Sequence, residues 1–390
     1  MKRRNFIKST ATGFSALMVA PTGWSADKPL VKIGFIGPIT GPTAAVGLGA
    51  RNSADLAVKQ ANSRTDSPYR YELVVVDDAS DPATGVAVAT RLCTIDKVAG
   101  ATTHFNSPVG LATIHVFHRY TTPQIFWGTI HPDITAKHNF PEVTRICANT
   151  NVEHATLVDF AVAKRGYKRW SILYDTTSYG VSCFNAVKAE LAKVGGNIVS
   201  EDGIPVGTQD FRPVLSRLKT ISPRPEALYY GGVVAEAALL RLQMAEMGMS
   251  NMLYTGVTGL DSDTFNKVAA RSAEGTVIVG KRAIADDSPF VQGYKAAGYK
   301  EYYESSGPYA YDSTNLLIAA INKVGPNDKK LLASTIRGMN YEGVLGQTKF
   351  DKFGQTETGG LAMKVSQDGQ WLPWASSAYS SGGRSLPPKG

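Results

Sequence analysis

One pattern limits this chain more than any other: short apolar runs, each closed by a loop of Gly, Pro or Asp, each followed by a helical stretch. The first unit runs Val31-Lys32-Ile33-Gly34-Phe35-Ile36, then Gly37-Pro38-Ile39-Thr40-Gly41-Pro42, then a helix from about Gly47 to Ala61. A short apolar run bounded by turn residues reads as a buried parallel strand, and the Gly/Pro loop stops it. The same order returns at Tyr71 to Val76 with a helix over Pro82 to Leu92, which Pro opens in its first turn. Further strands are expected at Val98 to Thr102, Gln124 to Trp127, Trp170 to Tyr174, Ala227 to Tyr230 and Met252 to Tyr254. Strand-then-helix alternation predicts an α/β fold with parallel sheets and right-handed crossovers, whose carboxyl edges are where such sheets bind small ligands. A chain of 390 residues suggests two such units.

The helices carry the matching period. Ala186, Leu191 and Val194 share a face with Phe184, opposite Lys188, Glu190 and Lys193. Ala235, Ala238, Leu239, Leu242 and Met244 form a core stripe between Val234 and Met247, and another long apolar helix over Tyr309 to Val324 ends at Gly325-Pro326. The Gly/Ser/Pro-rich residues 376–390 are expected to fray.

The opening residues stand apart from this pattern. Lys2-Arg3-Arg4-Asn5-Phe6-Ile7-Lys8 precedes a modest apolar stretch from Ala11 to Ala20, too short to span a bilayer, and residues 1–26 read as a signal peptide. The paired arginines match a twin-arginine export signal, which predicts a periplasmic protein. Loss of Lys2, Arg3, Arg4 and Lys8 lowers the formal charge from +8 to about +4, too little to argue for nucleic acid. Cys93, Cys147 and Cys183 allow one disulfide at most, and the helical settings of Cys93 and Cys183 favour buried free thiols.

Enzyme and cofactor signatures are missing from the sequence. Gly47-Leu48-Gly49 lacks the third glycine of a dinucleotide fingerprint, there is no Walker loop, and Gly180-Val181-Ser182-Cys183-Phe184 is not a nucleophile elbow. Twin-arginine export often carries cofactor enzymes, which keeps an oxidoreductase as a rival reading, but no cofactor motif supports one. His115 and His118 share a helix face, yet no third ligand stands at a diagnostic spacing, so no metal site is expected.

Several stretches, in order, resemble the periplasmic branched-chain amino-acid-binding family, the type I solute-binding proteins of ABC importers. They are Lys32 to Pro42, Val76-Asp77-Asp78-Ala79-Ser80-Asp81-Pro82, Leu173 to Gly180, Leu228-Tyr229-Tyr230-Gly231-Gly232, Ala273-Glu274-Gly275 and Phe350-Asp351-Lys352-Phe353-Gly354. The resemblance implies two Rossmann-like lobes joined by a three-strand hinge with crossings near Cys147, Gly280 and Gly354. It divides the chain into residues 29–147 plus 281–353 and residues 148–280 plus 354–375. A ligand touching both lobes would favour the closed state in proportion to that differential contact. The partners implied are a small-molecule ligand and an ABC permease in the inner membrane, for a monomer with no cofactor and no enzymatic activity.

The same resemblance proposes the site. Ser107, in Asn106-Ser107-Pro108, matches the serine that meets the ligand's carboxylate, which suits a helix N-terminus. Thr129, Ile130 and His131 fall in the second carboxylate-side loop, and Tyr179 matches an aromatic that covers the ligand. His104, at a strand end before Ser107, is expected to line the cleft. Where many relatives hold the ligand's ammonium with a Glu or Asp, this chain has Val257 or Thr258, with Asp261 as a substitute acid if the loop runs long. An unpaired buried ammonium is costly. Two ligand classes therefore stay open: an amino acid of the branched-chain type held through Asp261, or an aromatic carboxylate, amide or urea without an amine. A sensory ligand-binding protein that reports to a signalling partner is the rival of another class.

Overall fold

The computed structural model describes residues 28–357 and 359–389; the expected signal peptide, residues 1–26, lies outside the described residues. The apolar runs at the start of the chain form a five-stranded sheet of β1 (Leu30–Gly37), β2 (Arg70–Asp77), β3 (Gly100–Thr103), β4 (Gln124–Phe126) and β5 (Val143–Arg145). Its order is β2-β1-β3-β4-β5 and every pair is parallel. Both neighbours of β1 arrive by helical crossovers, so Phe35 sits between Val75 and Thr102 and is fully buried.

A second sheet takes up β6 (Arg169–Asp175), β7 (Asn197–Ile204), β8 (Ala227–Gly231), β9 (Leu253–Gly256) and β10 (Val277–Lys281), again in parallel. After a small hairpin of β11 (Tyr341–Gly343) and β12 (Gly346–Thr348), the strands β13 (Leu361–Gln367) and β14 (Gln370–Pro373) extend this sheet. They pair antiparallel, giving the order β14-β13-β10-β9-β8-β6-β7. This mixed edge differs from the expected all-parallel sheet, because β13 enters from the other lobe and not from a helix of its own. The edge strand β7 also escaped the sequence reading: most of its side chains are exposed or half-buried, so it carries no apolar run.

The fold is thus α/β with two lobes interleaved in sequence. The helix Gly307–Val324 returns to the first lobe and packs on the Ala44–Ser63 helix and on β3 before the chain leaves again for β13. Arg145 ties two of the passages between lobes together. It is fully buried, its Nε donates to Gln355 Oε1 at 2.6 Å, its Nη1 donates to the His131 carbonyl at 2.6 Å, and its backbone N–H bonds Gly354. The largest apolar cluster contains side chains of both lobes, among them Phe35, Trp127, Trp170 and Tyr229. Each such buried side chain contributes about 1.5–3 kcal/mol relative to exposure.

Residues 376–389, expected to fray, are held. Tyr379 donates to Glu274 at 2.6 Å, Arg384 pairs with Glu274 and Asp368, Tyr167 donates to the Pro387 carbonyl, and Leu386 packs against the main cluster. Glu274 supplies the anchor that composition could not reveal. Cys93, Cys147 and Cys183 are all buried and free.

Candidate functional site

The carboxyl edges of the two sheets face one cleft. Pro42 and Thr43 from the loop after β1, Ser80 after β2, and Phe105, Asn106 and Ser107 after β3 form the first wall, with Gly128 and Ile130 beyond β4. Asp175, Thr177 and Tyr179 after β6, Val206 after β7, Val233 and Glu236 after β8, and Thr258 and Gly259 after β9 form the second. Each lining segment follows directly from a strand end, the placement that open α/β sheets give to ligand sites.

On the first wall the helix Ser107–Arg119 points its N-terminus at the cleft, with Asn106 in the cap position. Neither Asn106 nor Ser107 caps it through a side chain, and Ser107 Oγ and Asn106 Oδ1 are buried without a hydrogen-bond partner. A buried hydroxyl and free backbone N–H groups at a helix start attract an anion. Phe105 lies nearly parallel to Trp127 at 6.2 Å, giving the wall an apolar flank.

On the second wall, Thr177 caps the helix Ser178–Lys193 by accepting from the Tyr179 and Gly180 N–H groups, so the Tyr179 side chain is not needed as a cap. Tyr179 is 8% exposed, and its hydroxyl lies near the Cys183 thiol and has no hydrogen-bond partner. Burial pushes that phenol well above its ordinary range, so it stays a neutral donor. Gly259 permits its position, since a Cβ there would come within 2.3 Å of the Tyr179 hydroxyl oxygen. Thr258 lines the cleft and donates to Glu153 Oε1 at 2.7 Å. Glu153 is buried behind it, and burial is the main cause that pushes its carboxyl up to about 8.

Ser107, Ile130, Tyr179 and Thr258, four of the residues expected at the site, therefore line the cleft. The other four do not. The chain bends at Trp127 and Gly128 directly after β4. Gly128 and Ile130 meet the cleft, while Thr129 turns inward and donates to the His104 carbonyl at 3.2 Å. His131 is engaged by local backbone: its Nδ1 accepts from the Asp133 N–H at 3.2 Å and its carbonyl from Arg145.

His104 is fully buried with φ +54°, a left-handed conformation that turns its ring away from the cleft. Its Nδ1 bonds Asp78 Oδ2 at 2.9 Å and its Nε2 bonds the Thr113 hydroxyl at 2.9 Å, so it braces the loop carrying Ser107. Asp261 is consumed elsewhere too. Lys364 Nζ donates to its two oxygens at 2.9 and 3.0 Å, and the Lys281 N–H donates to Oδ2 at 2.8 Å. An acid neutralised in this way cannot serve a ligand in the cleft.

Two lining acids were not anticipated. Asp175 Oδ1 accepts from the Thr177 N–H at 2.9 Å and from the Thr177 hydroxyl, and Glu236 Oε1 accepts from the Gly207 N–H at 2.9 Å. Glu236 sits in the first turn of the helix Val234–Glu246, five residues beyond Gly231 at the end of β8. An acid so soon after a strand end was the available signal. Among the described residues there is no cluster of three or more side chains fit to hold a metal ion; His115 packs against His138, and His118 bonds Glu142.

Comparison with known proteins places this geometry in context. The family described as periplasmic binding protein matches residues 30–370. The Leu/Ile/Val-binding protein homolog 2 of Brucella abortus (strain 2308) is 27% identical over 362 residues, covering 91% of this chain and 95% of that protein. The crystal structure of a leucine-binding protein from Thermotoga maritima superposes with a TM-score of 0.81 at 24% identity, over 88% of this chain and 97% of that one. An ABC-transporter solute-binding protein of R. palustris in complex with benzoate gives 0.79 at 19% identity, over 88% of this chain and 95% of that one. At these identities the two structures show a shared fold.

Proposed function

The chain belongs to the periplasmic binding protein family, and on that premise we propose that it is the solute-capturing component of an ABC importer, taking up a small amino acid or related carboxylate without chemical change. The lobes are residues 29–147 with 281–353 and residues 148–280 with 354–375, closing on the ligand about the three crossings. One observation carries this reading: buried side-chain polar atoms lacking partners come from both walls of a single cleft, Ser107 Oγ and Asn106 Oδ1 on one side and Tyr179 hydroxyl and Glu236 Oε2 on the other. Buried polar groups are nearly always paired, so four at one cleft suit a ligand that pairs them. Ser107 and the helix N-terminus hold the carboxylate, Ile130 and Tyr179 cover the body, and Thr258 borders the far end. The leader with Arg3-Arg4 supports delivery to the periplasm by the twin-arginine route.

A second reading, an aromatic carboxylate, draws on the apolar flank of Phe105, Ile130, Val206 and Val233. Calorimetry of the exported protein against amino acids, aromatic acids, amides and urea tests both. Micromolar binding of at least one class is expected, and no binding at millimolar concentration would refute the proposal. Deleting the protein is expected to abolish uptake of that solute; intact uptake with an altered gene response would point to a sensor.

A further inference from the structure

A second cavity lies in the other half of the second lobe, where the helix Asp263–Ala269 and the turn after it meet the end of β13 and the C-terminal residues. Asn266, Arg271, Glu274, Asp368, Tyr379 and Arg384 line it, and it shares no residue with the interlobe cleft. Its two acids are already answered. Arg384 Nη1 donates to Glu274 Oε1 at 2.6 Å and its Nη2 to Asp368 Oδ1 at 2.8 Å, while the Tyr379 hydroxyl donates to Glu274 Oε1 at 2.6 Å.

What is left over is cationic, or a donor. Arg241, on the helix Val234–Glu246, is 5% exposed; its Nη2 reaches only the Glu274 carbonyl, at 3.4 Å, and its Nε and Nη1 are buried without a hydrogen-bond partner. Asn266 is 4% exposed: its Oδ1 accepts from the Ser366 hydroxyl at 2.6 Å, and its Nδ2 is buried and unpartnered. Arg271 stands exposed at the rim. Among the described residues neither Arg241 nor Arg271 pairs with a carboxylate, so the three arginines, 241, 271 and 384, exceed the two acids, Glu274 and Asp368, by one charge. A buried cation without a counter-charge is costly, and a guanidinium with open N–H groups is well shaped to take an oxyanion.

We propose that this cavity binds a small tetrahedral oxyanion, of the phosphate or sulfate class, between Arg271 and the Asn266 amide, with Arg241 supplying charge from behind the Glu274 backbone. The donors come from separate elements and from different directions, which suits an anion with oxygens on several sides better than a planar carboxylate. A cation would meet two unpaired guanidinium groups and acids already spent on Arg384. The anion joins the helix Val234–Glu246 to the helix Asp263–Ala269 beside the Tyr379 and Arg384 anchors, so its binding stabilises the second lobe.

The test is a titration of the exported protein, in chloride buffer of constant ionic strength, with inorganic phosphate, sulfate and glycerol 3-phosphate, followed by thermal unfolding and by calorimetry. At least one of the three is expected to raise the unfolding midpoint progressively beyond the chloride control, as mass action on the folded state requires. Tighter binding of the inorganic ions assigns a free anion, and tighter binding of glycerol 3-phosphate assigns a phosphomonoester. Arg271→Ala, at an exposed position, should weaken that binding by about tenfold or more, and Arg241→Met should do likewise. Asn266→Asp keeps an oxygen toward Ser366, sets a negative charge where Nδ2 stands, and should abolish binding. Arg212→Ala removes an exposed cation elsewhere in the lobe and should leave the affinity within about twofold. Should either buried variant fail to fold, Arg271→Ala decides. If none of the three anions exceeds the chloride control, or if Arg271→Ala binds as well as the unaltered protein, the proposal is overturned. Solute capture stands apart from either result, because the two cavities have no residue in common.

Discussion

The two walls of the cleft are built on opposite principles. The first wall is electrically quiet: Phe105, Gly128 and Ile130 surround a helix N-terminus whose hydroxyl and N–H groups are fixed dipoles. The second wall carries two carboxyl groups, Asp175 and Glu236, each accepting from a backbone N–H, beside the buried Tyr179 side chain. On the proposed reading the first wall takes the ligand's carboxylate and the second borders the rest of it.

The contrast fails most visibly if Asp261 belongs to the second wall after all. Asp261→Ala would strand the Lys364 ammonium, which is buried, and should cost about 3–5 kcal/mol of stability in urea unfolding. The affinity of the folded variant should stay within about twofold, because the carboxyl serves Lys364 and the Lys281 N–H and not the cleft. A large loss of affinity with stability intact would break the assignment. Next in size, Ser107→Ala removes the hydroxyl of the quiet wall and should weaken binding by about 10- to 100-fold. Calorimetry should show that loss equally for an amino acid and its bare acid; an unequal loss would mean that the first wall discriminates between them.

Glu153 sharpens the contrast from behind the second wall. Its carboxyl is held up to about 8, from an ordinary 4.5, chiefly by burial. Between those values the folded protein keeps a proton that the unfolded chain has released. Stability therefore declines as pH rises through that window. Glu153→Gln removes this dependence and should gain about 3 kcal/mol over the unaltered protein at pH 8 relative to pH 5, measured by denaturant unfolding. The smallest effect is expected of Tyr179→Phe, which deletes only the unpartnered hydroxyl and should weaken ligand binding by about two- to tenfold.

The sequence made the first wall far more legible than the second. Asn106-Ser107-Pro108 is contiguous, lies at a strand-to-helix junction, and carries its chemistry in residue types suited to a helix start. The same reasoning misplaced His104, because a strand-end histidine looks exposed until its left-handed backbone turns the ring toward Asp78. Thr129 was misplaced for a related reason, since its hydroxyl donates to the His104 carbonyl behind the wall. The second wall, like the first, gathers side chains from the ends of four strands, and its Val206 and Glu236 lie outside every stretch that carried a motif. Glu236 reads in isolation as an ordinary helix acid, and only the close approach of the β7 loop, through Gly207, shows that it is buried. The α/β alternation was legible because period and loop chemistry repeat locally; β13 was not, since its partner β10 lies some eighty residues earlier in the chain.

That distant pairing has a consequence for how the chain is made. The first lobe lacks the helix Gly307–Val324 on β3 until that segment has been synthesised, and the second lacks β13, β14 and the Glu274 anchor's partners until residues 361–384 emerge. At about 5–20 residues per second the early strands must wait many seconds on the ribosome with an apolar face uncovered. Neither lobe can be finished from its early strands alone, because each waits for a segment made after the strands of both sheets have begun.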